Sequence, residues 1–154
     1  MRRDITYNRH LKLTFLALFL FTYQIFAGVY AFLSPLAGFF FVYIVKNFKK
    51  EDMEIYLAFL YLCFFELNQG FYLFSMVFLF VIFYYLIKPR LVSMFESEAW
   101  IISITVISAY VGLYAVNLFF AYFLNQPFSR FSVVYIFYIL IDIVLASLFL
   151  RSKS

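Results

Sequence analysis

Apolar residues run along this chain in six blocks separated by short polar breaks. The first block, Leu13 to Leu33, is long enough for a helix to cross a hydrocarbon core of about 30 Å. Ser34-Pro35 interrupts it. Proline is accommodated in the first turn of a helix, so a second helix is expected to open there. The second block, Leu36 to Val45, is short and covers roughly 15 Å as a helix. A charged stretch, Lys46 to Asp52, precedes the third block, Met53 to Leu67, which carries Glu54 near its start. Asn68-Gln69-Gly70 reads as a tight turn. The fourth block, Phe71 to Ile87, meets a stop at Lys88-Pro89-Arg90, and residues 91–98 are amphipathic enough to lie along a membrane surface. The fifth, Ala99 to Leu124, is the longest and predicts a tilted helix. Trp100 and Tyr122 mark its ends, as interfacial aromatics do. Asn125 to Arg130 forms a loop before the sixth block, Phe131 to Leu150.

The pattern predicts a single all-α membrane domain, a six-helix bundle with spans at about 13–33, 35–46, 53–68, 71–87, 99–124 and 131–150 and with helices two and three short. Composition agrees. The chain is 67% hydrophobic and 13% charged, and water could not solvate that much apolar surface. The first block lacks a small-residue cleavage site, so it is expected to remain as an uncleaved anchor. The single Cys63 lies in an apolar block and has no partner for a disulfide within the chain.

Charge then orients the bundle. Arg2, Arg3, Arg9 and Lys12 precede the first block; Lys46, Lys49 and Lys50 fall in one connector, Lys88 and Arg90 in another; Arg151 and Lys153 follow the last block. Only Arg130 falls in a connector predicted to face outside. Lys and Arg in short loops favour the cytoplasmic side, so both termini are expected inside. Two readings compete for residues 36–67. In one they form a complete hairpin with its tip in the cytoplasm; in the other they form a re-entrant pair that leaves three lysines outside. The charge rule favours the hairpin, which brings Pro35 and Glu66 to one outer face. The net charge of +4 lies at loop ends, where an anionic membrane surface attracts it, and is no nucleic-acid signature.

Polar residues inside the blocks are few, and each is a candidate for function or for helix association. Glu66 ends the third block, either as an anchor at the outer mouth of the bundle or as a wet cap on the turn. Asp142 is nearly mid-way along the sixth block and must face the interior, with Asn117, Gln24 or a tyrosine hydroxyl as candidate partners. Gln24 and Asn117 are expected to hydrogen-bond between helices. Thr105, Ser108, Ala109, Gly112 and Ala115 recur at helical spacing and predict a small-residue face for close packing inside the bundle or against a partner helix. Gly28 and Gly38 flank the Ser34-Pro35 break. His10 stands alone, so no metal site is expected. No catalytic triad, phosphate-binding loop or CxxC pair is present, and no enzymatic activity or cofactor is expected.

The order of these features resembles the rod shape-determining protein MreD family. The match runs over most of the chain and rests on Gln24 late in the first helix, Leu-Ser-Pro35-Leu-Ala-Gly opening a short second helix, and the stretch Glu66-Leu-Asn68-Gln69-Gly70 closing the third. The chain departs from the family in having Glu66 where Asp is usual, a shorter turn, a third helix without the family's common glycines, and Asp142 where Asn is typical. The resemblance implies a non-catalytic scaffold of cell-wall elongation in the bacterial inner membrane. Its partners would be membrane lipid, an MreC-like protein, a RodA-like polymerase and a transpeptidase, with a homo-oligomer also open. Docking would use the Thr105 to Ala115 face or the rim at Glu66 to Gly70. A small-molecule-binding subunit of a transporter is the competing class. It predicts an outward pocket lined by Glu66, Asn68, Gln69, Asn117 and Asp142. An accessory subunit of another membrane complex is a third possibility.

Overall fold

The computed structural model describes the backbone of residues 2–128 and 132–151 and, within them, the side chains from residue 5 onward. Arg130, Phe131 and Lys153 lie outside the described residues, as do the side chains of Arg2 and Arg3. The described chain is helical, with no strand. Its helices are α1 (Arg2–Val29), α2 (Ala37–Asn47), α3 (Met53–Gln69), α4 (Ser75–Met94), α5 (Glu98–Phe123) and α6 (Val134–Phe149). Among the described residues, α1 from Ile5, α4 and α5 are long and apolar enough to cross a membrane, and α6 is a shorter apolar helix.

The shortest of these helices is the axis of the bundle. α2 packs against α3, α5 and α6, and buries Ala37, Gly38, Phe41, Val42, Ile44 and Val45. Phe41 meets Phe83 of α4 edge-on at 5.5 Å between ring centroids. α1 takes the opposite role. It packs chiefly on α3 and leaves Phe15, Leu18, Phe19, Ile25 and Phe26 exposed, a surface suited to hydrocarbon.

Several element ends differ from the sequence expectation, each for a local reason. α1 stops at Val29 rather than Leu33, and α2 starts at Ala37, two residues after Pro35. Proline holds the preceding Ser34 out of helical conformation. Leu36 then turns the chain with a left-handed backbone, φ 56°. The segment 30–36 therefore enters the bundle as irregular chain, and α2 alone reaches only about 16 Å. Asn68 and Gln69 belong to α3 and not to a turn. Gly70, at φ 75°, ends the helix, with its own N–H donating to the Leu67 carbonyl and the Phe71 N–H to that of Glu66. α4 does not stop at Lys88-Pro89-Arg90 but runs on to Met94. Proline cannot donate to the carbonyl four residues back, and a π turn at Phe83–Ile87 absorbs the mismatch.

The small residues of α5 do not form one packing face. Thr105 and Ala109 are buried, Ser108 is half-buried, Gly112 faces Leu79 of α4, and Ala115 is exposed. Gly38 marks the tightest approach around α2. A methyl group there would lie 2.8 Å from Val106 Cγ1, 2.9 Å from Asp142 Oδ2 and 3.0 Å from Tyr110 Cε2. Gly38→Ala tests this. In a free helix the change stabilises by about 1 kcal/mol, whereas overpacking here is expected to destabilise by about 1–3 kcal/mol. Thermal unfolding in micelles followed by circular dichroism reads the sign. A raised midpoint refutes the close approach.

Candidate functional site

Charge collects at one end of the bundle. Arg9 of α1 lies 3.8 Å from Asp52 at the start of α3. Lys46 of α2 pairs with Glu98 of α5 and also donates to the Leu150 carbonyl at the end of α6. The tip of the α2–α3 hairpin thus sits beside the start of α1, the start of α5 and the end of α6. Among the described side chains, every Lys and Arg belongs to this basic end. Two carboxylates do not: Glu66 and Asp142 are fully buried.

Asp142 organises the irregular segment. Backbone in a hydrocarbon core has no water to bond, so its polar groups must be satisfied from within the protein. Ser34 and Pro35 are buried, and hydroxyl groups from surrounding helices reach the carbonyls of this stretch. Tyr23 of α1 donates to Ser34 O, Tyr61 of α3 to Pro35 O, and Tyr138 of α6 to Ala31 O, each at 2.7 Å. Asp142 accepts from Ser34 Oγ at 2.6 Å, from Tyr110 Oη of α5 at 2.6 Å and from the Gly38 N–H at 2.9 Å. All three partners can donate, and the Gly38 N–H can only donate, so the Asp142 carboxyl group supplies the acceptors this corner needs. The carboxylate also stands at the amino end of α2, where the helix dipole favours negative charge. At the carboxyl end of α2, Lys88 of α4 donates to the Val45 carbonyl at 2.9 Å. The central half-length helix is held by an acidic side chain at one end and a basic one at the other.

Glu66 does the same for α4. Its carboxylate accepts from the Phe74 N–H at 2.8 Å and from the Met76 N–H. Asn117 of α5 accepts from the Tyr72 N–H at 2.7 Å and donates to Leu113 O at 2.8 Å. Phe74, like Leu36, precedes its helix with a left-handed backbone, φ 67°. Such a conformation is costly for a bulky residue and persists where its surroundings fix it. Both α2 and α4 therefore begin with a left-handed residue and have an N–H of the first turn, Gly38 or Met76, bound to a buried acidic side chain.

The expected roles divide accordingly. Glu66 is a helix cap, buried rather than wet, and it caps the next helix rather than its own turn. Asp142 takes a tyrosine hydroxyl, with neither Asn117 nor Gln24 as partner: Asn117 is bonded to Tyr72 N–H and Leu113 O, and the Gln24 side chain does not reach Asp142. Pro35 offers its carbonyl to Tyr61 of α3 and makes no contact with the Glu66 carboxylate, which is bonded to the start of α4. Asn68, not the Gln24 side chain, makes the α1–α3 bond: its Nδ2 donates to the Gln24 carbonyl at 3.1 Å. The Gln24 side chain is fully buried, and neither of its amide atoms has a hydrogen-bond partner. A buried unsatisfied amide destabilises, so Gln24→Leu is expected to stabilise the fold by about 1 kcal/mol. A lower denaturation midpoint for this variant contradicts that.

The chain matches no protein-family model, no curated protein and no solved structure.

At the end opposite the charges, a cleft of about 260 Å³ lies between the ends of α1 and α3 and the start of α6, lined by Gly28, Ala31, Gln69, Tyr135 and Tyr138 among others. Of the residues expected to line an outward pocket, Gln69 alone contributes to this cleft. Glu66, Asn117 and Asp142 are spent on helix ends. Among the described residues, no three His, Cys, Asp or Glu side chains gather to hold a metal ion. The functional residues that sequence reasoning missed are Tyr23, Tyr61, Tyr110 and Tyr138. Their signal was present. These tyrosines lie inside apolar blocks, where a phenol needs a partner, and the Ser34-Pro35 break leaves carbonyls that need donors.

Proposed function

We propose that this protein is a non-catalytic scaffold of the cell-wall elongation machinery, a six-span bundle of the bacterial inner membrane with both termini in the cytoplasm. The observation that carries the non-catalytic reading is the use of both buried carboxylates, Glu66 and Asp142, in capping α4 and α2. What supports six spans is the gathering of cations at one end, together with an irregular segment that extends the reach of the short α2. The assignment to elongation draws on the resemblance to MreD: a Ser-Pro break before a short second helix, and an acidic residue closing the third. By that resemblance the partner is an MreC-like protein with one membrane helix, acting with a RodA-like polymerase and a transpeptidase. The test is co-purification of the tagged full-length chain with elongation components, together with depletion in its own cell. Rounded cells and a recovered partner are expected. Normal shape with no partner recovered refutes the proposal.

The outer cleft keeps one second reading in view, a small-molecule-binding subunit of a transporter. That reading predicts a ligand-dependent rise in melting temperature that Gln69→Ala abolishes.

A further inference from the structure

The basic end holds a second cleft, of about 190 Å³, between α2, α4 and α5. Val42, Val45, Phe83, Ile101, Ile102 and Thr105 give it apolar walls. Along α5 it extends from Glu98 to Thr105, about 10 Å of helix. Charge is confined to Lys46, Lys88 and Glu98. Two ammonium groups against one carboxylate leave this lining with an excess positive charge.

The donor count sharpens the point. Each ammonium carries three N–H groups. Lys88 spends one on the Val45 carbonyl, and its Nζ lies 4.6 Å from the centroid of the Tyr84 ring, an aromatic face that accepts no conventional hydrogen bond. Lys46 spends two, on Glu98 and on Leu150 O. Three donors therefore remain at the mouth of an apolar cleft set among helices whose outer surfaces suit lipid. A group with several acceptor oxygens and negative charge, attached to an apolar chain, meets both requirements. A phospholipid phosphate does so. A zwitterionic headgroup adds an ammonium that the two lysines repel, so the positive balance selects an anionic headgroup.

We infer that this cleft binds an anionic phospholipid of the surrounding leaflet, with one acyl chain between α2, α4 and α5 and the phosphate on Lys88 and Lys46. The lipid would add to the hold on the carboxyl end of α2, because Lys88 binds the Val45 carbonyl there and Lys46 of α2 binds the Leu150 carbonyl at the end of α6. This inference does not depend on the scaffold reading.

Native mass spectrometry of the full-length protein tests it. The protein is released from micelles containing equal amounts of phosphatidylglycerol and phosphatidylethanolamine with identical chains. Retained phosphatidylglycerol is expected in excess, by roughly fivefold for each lysine engaged. Lys88→Gln and Lys46→Gln should each reduce the excess by about that factor, and Lys88→Arg should keep it. Equal retention of the two lipids by the wild-type protein overturns the inference. So does an undiminished preference in the Lys46→Gln/Lys88→Gln double variant. If loss of the α2 contact leaves Lys88→Gln unfolded, Ile101→Phe decides. This change narrows the cleft without touching a charge, and should lower retention of phosphatidylglycerol several-fold at an unchanged melting temperature. Unaltered retention there overturns the inference as well.

Discussion

Asp142→Leu is expected to be the most damaging single substitution in the bundle. The leucine has the same branching but is larger, and it leaves Ser34 Oγ, Tyr110 Oη and the Gly38 N–H without an acceptor. A buried donor left unsatisfied costs about 1–3 kcal/mol, so three of them predict a loss of about 3 kcal/mol or more. Against a typical total stability of about 5–15 kcal/mol this is severe. Asp142→Asn should fall between leucine and wild type. Its amide oxygen still accepts, but its NH2 group is turned toward a donor. Tyr110→Phe should cost about 1 kcal/mol, the ordinary net worth of one hydrogen bond. Chemical denaturation in micelles, followed by far-ultraviolet circular dichroism, ranks the set. If Asp142→Leu unfolds within 1 kcal/mol of wild type, Asp142 does not hold the amino end of α2.

The second large effect belongs to Glu66→Leu. This change orphans the Phe74 and Met76 N–H groups at the amino end of α4. The expected cost is about 2–4 kcal/mol, from two orphaned donors. The effect should also be local. Hydrogen exchange should accelerate at residues 74–78 before it does in the middle of α5, because the first turn of α4 loses its partner while α5 keeps its own. Glu66→Gln should be milder, since the amide oxygen still accepts one N–H. Uniform acceleration across the bundle in Glu66→Leu would mean that Glu66 supports the core as a whole and does not act as a cap.

The two variants separate what sequence reading reached from what it did not. It singled out Glu66, Asp142 and Asn117 because a polar side chain in an apolar block is expensive unless it is used. It could not say how they are used. Asp142 meets Ser34 and Gly38 across more than a hundred residues of chain, and Glu66 reaches forward past Gly70 to the next helix. Periodicity within one block carries no trace of either. Gln24 shows the converse case. It looked like a partner between helices, but its side chain is buried without one, and the bond at that crossing comes from Asn68 to the backbone.

The sequence by itself determined the helical class, the approximate places of the helices, the break at Ser34-Pro35 and the segregation of charge. These follow from composition, from the length of apolar runs and from the backbone chemistry of proline, all of which are local. Tertiary structure alone decided that the shortest helix is the central one, that four tyrosines converge on the Ala31 to Gly38 region, and that the buried carboxylates hold helix ends. The reason is physical. In a membrane interior, irregular backbone and unpaired helix ends find no water, so their partners must come from whichever helices packing brings alongside. Packing is set by contacts distant in sequence, which no single apolar block can specify.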